Sequence, residues 1–210
     1  ASLTLRYAPG ESFVNSKQRR IPVSLDAPIF TLTHAMGFKG VLGGEYSFNR
    51  TEASVWKRFW LPSSWGKIDC SIKAGAEWNT VPFPLLILPE ANLSYITQRE
   101  TFNLINNMEF LNDRFASVSL SYDMNGKLFN RIPLIKNLKW REMFRIRALW
   151  GTLTDKNNPF KSSNPDLFRF PMRDGKFTSF VMDPKIPYVE ASVGIYNIFK
   201  LLHIEYVHRF

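Results

Sequence analysis

Cysteine is almost absent from this chain, and no long apolar run occurs in it. Cys70 is the single cysteine among 210 residues, which excludes an internal disulfide framework and a multi-cysteine metal site. The most apolar stretch, residues 81–88, is interrupted by Pro82 and Pro84. A membrane-spanning helix needs about 20 apolar residues. A membrane protein with this sequence could therefore be built only from strands that close into a barrel.

Clustered positive charge is also missing, although the net charge is +9 and the pI is about 9.7. Such a balance ordinarily suggests nucleic acid or an anionic membrane surface as a partner. The basic residues are scattered, no Lys/Arg run is longer than Arg19-Arg20, and no aromatic RNA-binding signature accompanies them. We therefore expect contact with lipid phosphates and no binding of nucleic acid.

Aromatic residues are abundant, at 15% of the chain, while the mean hydropathy stays slightly negative at -0.18. Apolar and polar residues must then be finely interleaved, which suits strands with one apolar face and one polar face. Residues 68–79 are the clearest case, because alternate positions sort into an apolar and a polar set. The same reading predicts nine strands, at residues 2–8, 29–38, 45–60, 68–79, 101–110, 114–124, 139–151, 188–196 and 202–210.

Two details of this pattern are less regular. Arg50 and Glu52 share a parity with Phe48 and Trp56, which predicts a bulge or break near Asn49. Residues 155–187 carry several turn signals, among them Asn164-Pro165 and Asp174-Gly175, and are predicted to form a long loop.

Alternation alone does not say whether the apolar face meets lipid or a protein core. Trp140 and Trp150 have the same parity, ten residues apart, which corresponds to about 25 Å along a membrane normal and to the two aromatic girdles of a barrel. The opposite face carries charges of both signs, which suit a hydrated or ion-paired lumen. The predicted lumen-facing residues are Lys73, Glu77, Arg141, Arg145, Arg147, Glu190 and Glu205.

Several stretches together resemble a known family. They are PFPLLILP at 82–89, FNLINNMEF at 102–110, FNRIPLIK at 129–136 with LKWRE at 138–142, and YVEASVGIYNIFK at 188–200 followed by IEYVHRF at 204–210. The chain resembles the C-terminal barrel region of large Bacteroidota outer-membrane proteins of unassigned function, which carry an N-terminal carboxypeptidase-regulatory-like β-sandwich.

The resemblance implies that residues 1–210 are a single barrel domain or a C-terminal fragment of one. Ala1 is not preceded by a leader, so a signal peptide has been removed or the chain belongs to a longer protein. Single-chain bacterial barrels have an even number of strands. A further strand after Phe210 would therefore bring the nine predicted strands to an even number. It would also place the loop 155–187 outside the cell.

Enzymatic chemistry has weak candidates here. His34 follows Thr31 and Thr33, which permits a Ser/Thr-His acyl hydrolase, but no nucleophile elbow or acid partner accompanies it. His203 and His208 are five residues apart and fall on opposite faces of a strand, which disfavours a shared metal. Glu190 and Glu205 are expected to pair with the three arginines rather than to act as catalytic carboxylates.

The sequence thus predicts an all-β chain, an antiparallel transmembrane β-barrel of about eight to ten strands that belongs to a larger barrel in a bacterial outer membrane. No catalytic residue, cofactor or metal site is expected. The expected partners are the bilayer and lipopolysaccharide, with other envelope proteins as further candidates, in a transport or envelope-assembly role. The alternatives are a soluble β-barrel or sandwich that binds a small apolar ligand or a protein, and an outer-membrane acyl hydrolase.

Overall fold

The computed structural model describes residues 1–41, 43–94, 96, 98, 100–161, 167, 170 and 172–210. Strands dominate this part of the chain. They are β1 (Ser2–Tyr7), β2 (Phe13–Asn15), β3 (Arg20–Pro22), β4 (Ile29–Gly37), β5 (Phe48–Trp60), β6 (Lys67–Glu77), β7 (Arg114–Asp123), β8 (Arg141–Thr152), β9 (Met172–Arg173), β10 (Lys176–Phe177), β11 (Tyr188–Ile198) and β12 (Leu202–Arg209).

Eight of these strands form one antiparallel sheet in the order β1-β4-β5-β6-β7-β8-β11-β12. Each strand pairs with its neighbour along the chain, so the sheet is a meander. Within the described residues β1 and β12 each have a single neighbour, and the sheet is open rather than closed into a barrel. The all-β class and the antiparallel sheet are confirmed.

The short elements lie in the connections between the main strands. β2 pairs with β3 between β1 and β4, and β9 pairs with β10 between β8 and β11. Phe83–Leu85 and Phe129–Arg131 are single 3₁₀ turns, and Pro133–Leu138 is a six-residue α-helix that begins with a proline at its first position. The turn predicted at Asn164-Pro165 lies outside the described residues.

Eight of the nine predicted strands are present with small shifts at their ends, but the strand predicted at residues 101–110 is wrong. That stretch holds only isolated bridges, at Phe102 and Phe110. Phe102 and Ile105 are buried inside the fold rather than alternating across a sheet. These side chains pack beneath the sheet, and packing of this kind does not require apolar residues at every second position.

The bulge predicted near Asn49 is also wrong. β5 begins at Phe48, and its pairing with β4 is uninterrupted from Phe48 opposite Gly37 to Trp56 opposite Ile29. Phe48 and Trp56 therefore share the polar face with Arg50. The glycine opposite Phe48 makes this possible, because a Cβ at Gly37 would lie 2.4 Å from the ring of Phe48.

Candidate functional site: the polar face of the sheet

The two faces of the sheet have inverted exposure. On the apolar face, which carries alternate residues such as Ile72, Ile146 and Val193, the side chains are open to the surroundings, with Ile146 53% and Val193 45% exposed. On the polar face, Arg147 and Glu190 are only 2% and 1% exposed. Water-soluble sheets bury their apolar face and expose their charges. This sheet does the reverse.

The total exposed surface agrees with that description. The chain exposes 13889 Å², whereas a compact water-soluble protein of 24.4 kDa exposes about 10,000 Å². Large apolar side chains on all eight strands of the sheet contribute to the excess, including Leu5, Leu32, Ile72, Ile146 and Tyr206. Contiguous apolar surface of this kind marks an interaction with another apolar phase or partner.

The structure places all the charged residues predicted for the lumen on the polar face. Strand register fixes this, because residues that are directly opposite in neighbouring strands share a face. The relevant pairs are Lys73 opposite Ser117, Glu77 opposite Arg50, Arg141 opposite Tyr196, Arg145 opposite Ser192, Arg147 opposite Glu190 and Glu205 opposite Gly194.

An ion-pair network links several of these groups. Arg145 Nη1 lies 2.7 Å from Glu205 Oε2, and Arg147 Nη1 lies 3.9 Å from Glu190 Oε2. Arg141 contacts the side-chain oxygen of Asn125 instead of a carboxylate. The predicted pairing of Glu190 and Glu205 with arginines is therefore present for Arg145 and Arg147.

The connection between β6 and β7, residues 78–113, is called here the inner segment. Its described residues cover the polar face. Lys73 Nζ on β6 lies 2.8 Å from Glu90 and 3.1 Å from Glu100 of this segment. At the far side of the sheet, Arg209 Nη1 on β12 lies 2.7 Å from Glu109. The inner segment therefore reaches from the middle of the sheet to its last strand.

The side chain of Glu190 binds the backbone of the inner segment. Its carboxylate accepts hydrogen bonds from the backbone N–H groups of Asn103 at 2.9 Å and Leu104 at 2.7 Å, and from the Tyr188 hydroxyl at 2.5 Å. An irregular segment buried under a sheet has no ladder partners, so side chains must satisfy its N–H groups. Glu190 has this role in addition to its ion pair.

A second polar cluster joins the inner segment to the connection between β8 and β11. The Asp113 carboxylate accepts hydrogen bonds from the backbone N–H of Thr154 at 3.1 Å and from the Asn157 amide at 2.9 Å. The Asn157 carbonyl oxygen in turn accepts the backbone N–H of Val81 at 2.8 Å. Asp113 and Asn157 are almost fully buried, so their loss would leave unpaired polar groups.

Two apolar clusters fill the space between the sheet and these connections. One contains Val81, Leu86, Leu111, Leu153 and Phe170, and the other contains Phe102, Ile105, Leu149, Met182 and Tyr188. The ring of Tyr188 packs edge-on against Phe102 and Phe110, with centroid distances of 5.7 Å. Most of the buried apolar residues in the described chain thus belong to these two clusters.

A cavity of about 620 Å³ remains on the polar face beside the inner segment. Its walls come from β5 to β8, from β11, from the turn that leads into β12 and from the first two residues of β12. Serine hydroxyls and charged groups dominate the lining, which includes Ser119, Ser121, Arg145, Arg147, Lys200 and His203.

The two tryptophans predicted for the girdles occupy opposite ends of β8. Trp150 lies on the apolar face and is exposed, opposite Ala116 of β7. Trp140 directly precedes β8 and is half-buried. Near the Trp150 end, Trp78 is also exposed, and its indole N–H donates to the Thr51 hydroxyl at 2.9 Å.

The histidines are distributed over both faces. His34 lies on the apolar face, where its Nδ1 is 2.9 Å from the Thr51 hydroxyl, while Thr31 and Thr33 face the other side. His203 shares the polar face with Glu205, and His208 is opposite Ala191 on the apolar face. In the part of the chain that the structure describes, no three His, Cys, Asp or Glu side chains are grouped to hold a metal ion.

Sequence reasoning missed the residues that fix the inner segment, above all Glu109, Asp113 and Asn157. None of them belongs to an alternating pattern. The available signal was composition, since Val81, Leu86 and the following residues are too apolar for a solvated loop.

The fold and site define an all-β chain with an eight-stranded antiparallel meander whose polar face is covered by its own connections. Residues 1–160 match the model for the C-terminal domain of a family of unknown function (DUF5686), and the chain belongs to this family. No curated protein and no solved structure is similar enough to the chain to match it. None of the described helices has the length and apolar character required to cross a membrane.

Proposed function

We propose that this chain forms part of a transmembrane β-barrel in a bacterial outer membrane, with its apolar face against lipid and its polar face directed inward. The observation that carries the proposal is the inverted exposure of the sheet, in which Ile146 is exposed and Arg147 beside it is buried. In lipid the acyl chains stabilise such a face, and closure of the sheet into a barrel would pair the backbone polar groups of its edge strands.

Strand length is compatible with this environment. β5 to β8 contain 13, 11, 10 and 12 residues. With about 3.3 Å per residue and a tilt near 40°, an 11-residue strand spans about 28 Å along the membrane normal, close to the apolar band of about 25 Å in outer-membrane barrels.

The proposal includes further strands beyond β1 and β12. An unpaired strand edge in lipid would leave backbone N–H and C=O groups without partners. A barrel of eight strands has an interior that is filled by its own side chains. The inner segment, two apolar clusters and a cavity of about 620 Å³ need more room, which supports a larger barrel.

Leu120 and Ser121 offer a sharp test, because these neighbours on β7 have opposite parity. We would replace Cys70 by Ala, introduce Leu120→Cys or Ser121→Cys into the full-length protein, and attach a nitroxide label in phospholipid vesicles. The label at position 120 should collide frequently with oxygen, which concentrates in lipid, and rarely with a water-soluble nickel complex. The label at position 121 should show the lower oxygen-to-nickel ratio.

A label at Ser16, in the exposed connection between β2 and β3, provides the water-exposed reference. If the label at position 120 meets the nickel complex as often as the label at position 16, the apolar face does not contact lipid. In that case a water-soluble sheet protein with an exposed docking face becomes the better interpretation.

For the biological role, we propose transport or assembly of the cell envelope. The filled interior supports this role by architectural analogy, since large outer-membrane transporters have a plugged lumen. The resemblance adds a Bacteroidota source and an N-terminal β-sandwich to the proposal, with the bilayer, lipopolysaccharide and envelope proteins as partners.

Conductance measurements test the role. The full-length protein in planar bilayers should conduct little, because the inner segment fills the polar side. Replacing Lys73 and Arg209 by Gln removes ion pairs to Glu90, Glu100 and Glu109, and should raise the conductance. Equal, negligible conductance for both proteins would argue against a pathway through the interior. Sedimentation with the dense outer-membrane fraction of the native cells would test the location separately.

A further inference from the structure

The charged groups around the polar cavity are unequally compensated. Arg58 Nε lies 2.6 Å from Asp69, and Lys67 Nζ lies 3.6 Å from Asp123, which also accepts the Tyr196 hydroxyl at 2.7 Å. The acidic groups of the lining on β6 and β7 are therefore paired.

Arg147 is the buried basic group of the lining that is least well compensated. Its side chain is 3% exposed, and among the described residues its nearest carboxylate oxygen is 3.9 Å away on Glu190 and its Nε has no hydrogen-bond partner. Glu190 is already occupied by the N–H groups of Asn103 and Leu104 and by the Tyr188 hydroxyl. A buried guanidinium whose closest described carboxylate oxygen is 3.9 Å away is incompletely compensated, and an added anion would stabilise it.

Other groups in the same cavity are free to bind. On β7, Ser119 lies directly opposite Arg147 of β8, and Ser121 lies opposite Arg145. No described residue hydrogen-bonds to the Ser119, Ser121 or Lys200 side chains. Lys200 stands at the exposed turn between β11 and β12, where it adds a positive charge to the cavity lining.

We propose that this cavity binds a small molecule that carries a phosphate or carboxylate group, with Arg147 as the main anchor. Ser119 and Ser121 would donate hydrogen bonds to the anionic oxygens, and Lys200 would attract the anion at the exposed end. A volume of about 620 Å³ falls in the range of ordinary small-molecule sites. The proposal does not depend on the membrane assignment, because one face of one sheet supplies these groups.

Calorimetric titration of the full-length protein in detergent tests the proposal, with pyrophosphate and succinate as separate probes at fixed ionic strength. At least one probe should bind, and the stronger one identifies the preferred anion. Loss of a charge-assisted hydrogen bond should weaken binding about tenfold or more in Arg147→Gln. Arg114→Gln removes an exposed positive charge outside the cavity lining and should leave binding unchanged.

Two further variants keep the test decisive if Arg147→Gln does not fold. Ser121→Phe fills the cavity without changing charge and should abolish binding, and Lys200→Gln should weaken binding severalfold. The proposal is overturned if neither probe binds, or if the folded cavity variants bind as tightly as the unchanged protein. These outcomes are independent of the spin-label result, so failure of this site would not be confused with failure of the membrane assignment.

Discussion

Replacing Ile146 by Arg separates a lipid-facing sheet from a solvated one. Ile146 lies on the apolar face of β8 and is 53% exposed. In water, a substitution at an exposed position with no specific partner changes the free energy of unfolding by about 0.5 kcal/mol or less. In the centre of a bilayer, an arginine on the lipid face costs about 2–4 kcal/mol.

The depth of Ile146 follows from its place in the strand. β8 has 12 residues, from Arg141 to Thr152, and Ile146 is the sixth. Five steps of about 3.3 Å at a tilt near 40° place it about 13 Å along the membrane normal from the beginning of the strand. The apolar band is about 25 Å tall, so this position is near its midplane. The upper part of the 2–4 kcal/mol range is therefore expected.

Leu202→Arg is the matched control, because Leu202 is 55% exposed but lies at the first position of β12. Near an interface the same substitution costs about 0–1 kcal/mol. Both variants of the full-length protein would be unfolded with urea from phospholipid vesicles, with tryptophan fluorescence as the signal. Equal free energies of unfolding for the two variants, both within about 0.5 kcal/mol of the unchanged protein, would refute the lipid-facing assignment.

Two more predictions concern the polar side. Glu190→Gln should lower the free energy of unfolding by about 3–5 kcal/mol, because Arg147 then lacks its nearest counter-charge. Exposed Glu45→Gln should have little effect in the same urea titration. Gly151→Ala places a Cβ 2.4 Å from the buried Asn112 side-chain oxygen, and should destabilise the protein by about 1–3 kcal/mol; limited proteolysis should then cut the inner segment faster, and unchanged cleavage would contradict this packing.

The strands were predictable because the two faces of a sheet have different surroundings, and apolar and polar residues therefore alternate along each strand. β7 shows this well, since Ala116, Val118 and Leu120 face one way while Ser117 and Ser119 face the other. The same parity assigned Lys73, Arg145 and Glu205 to one face before any pairing was known. Strand ends shifted by a few residues, as in β5, because Glu45 and Tyr46 alternate without entering the ladder.

The inner segment was not predictable from periodicity. Phe102, Ile105 and Phe110 have a spacing and composition that permit a short strand, yet their positions are set by packing against Leu149 and Tyr188 far along the chain. A buried irregular segment has no repeating geometry, so its sequence carries no period. Composition could have indicated burial, but not the path across the sheet.

The sequence predicted which charged residues share the polar face, but it did not predict their contacts with the inner segment. Parity identified Glu190 and the arginines, and an ion pair was the simplest expectation for them. The carboxylate of Glu190 instead lies closer to the Tyr188 hydroxyl and to the backbone N–H groups of Asn103 and Leu104 than to Arg147. A carboxylate that satisfies backbone groups almost ninety residues away along the chain has no signature in its own strand.

The exposed apolar face of the sheet and the inner segment that covers its polar face depend on each other for stability. An exposed apolar face gains nothing from burial within its own chain, so the stability of the sheet must come from its ladders, from the surrounding phase and from the polar side. On that side the apolar clusters around Leu111 and Leu149 supply burial. Glu190 and Asp113 supply the acceptors that irregular backbone needs. The charged side chains are therefore buried because they hold the inner segment that covers them. Removing these side chains should expose the inner segment, and removing the inner segment should expose these side chains.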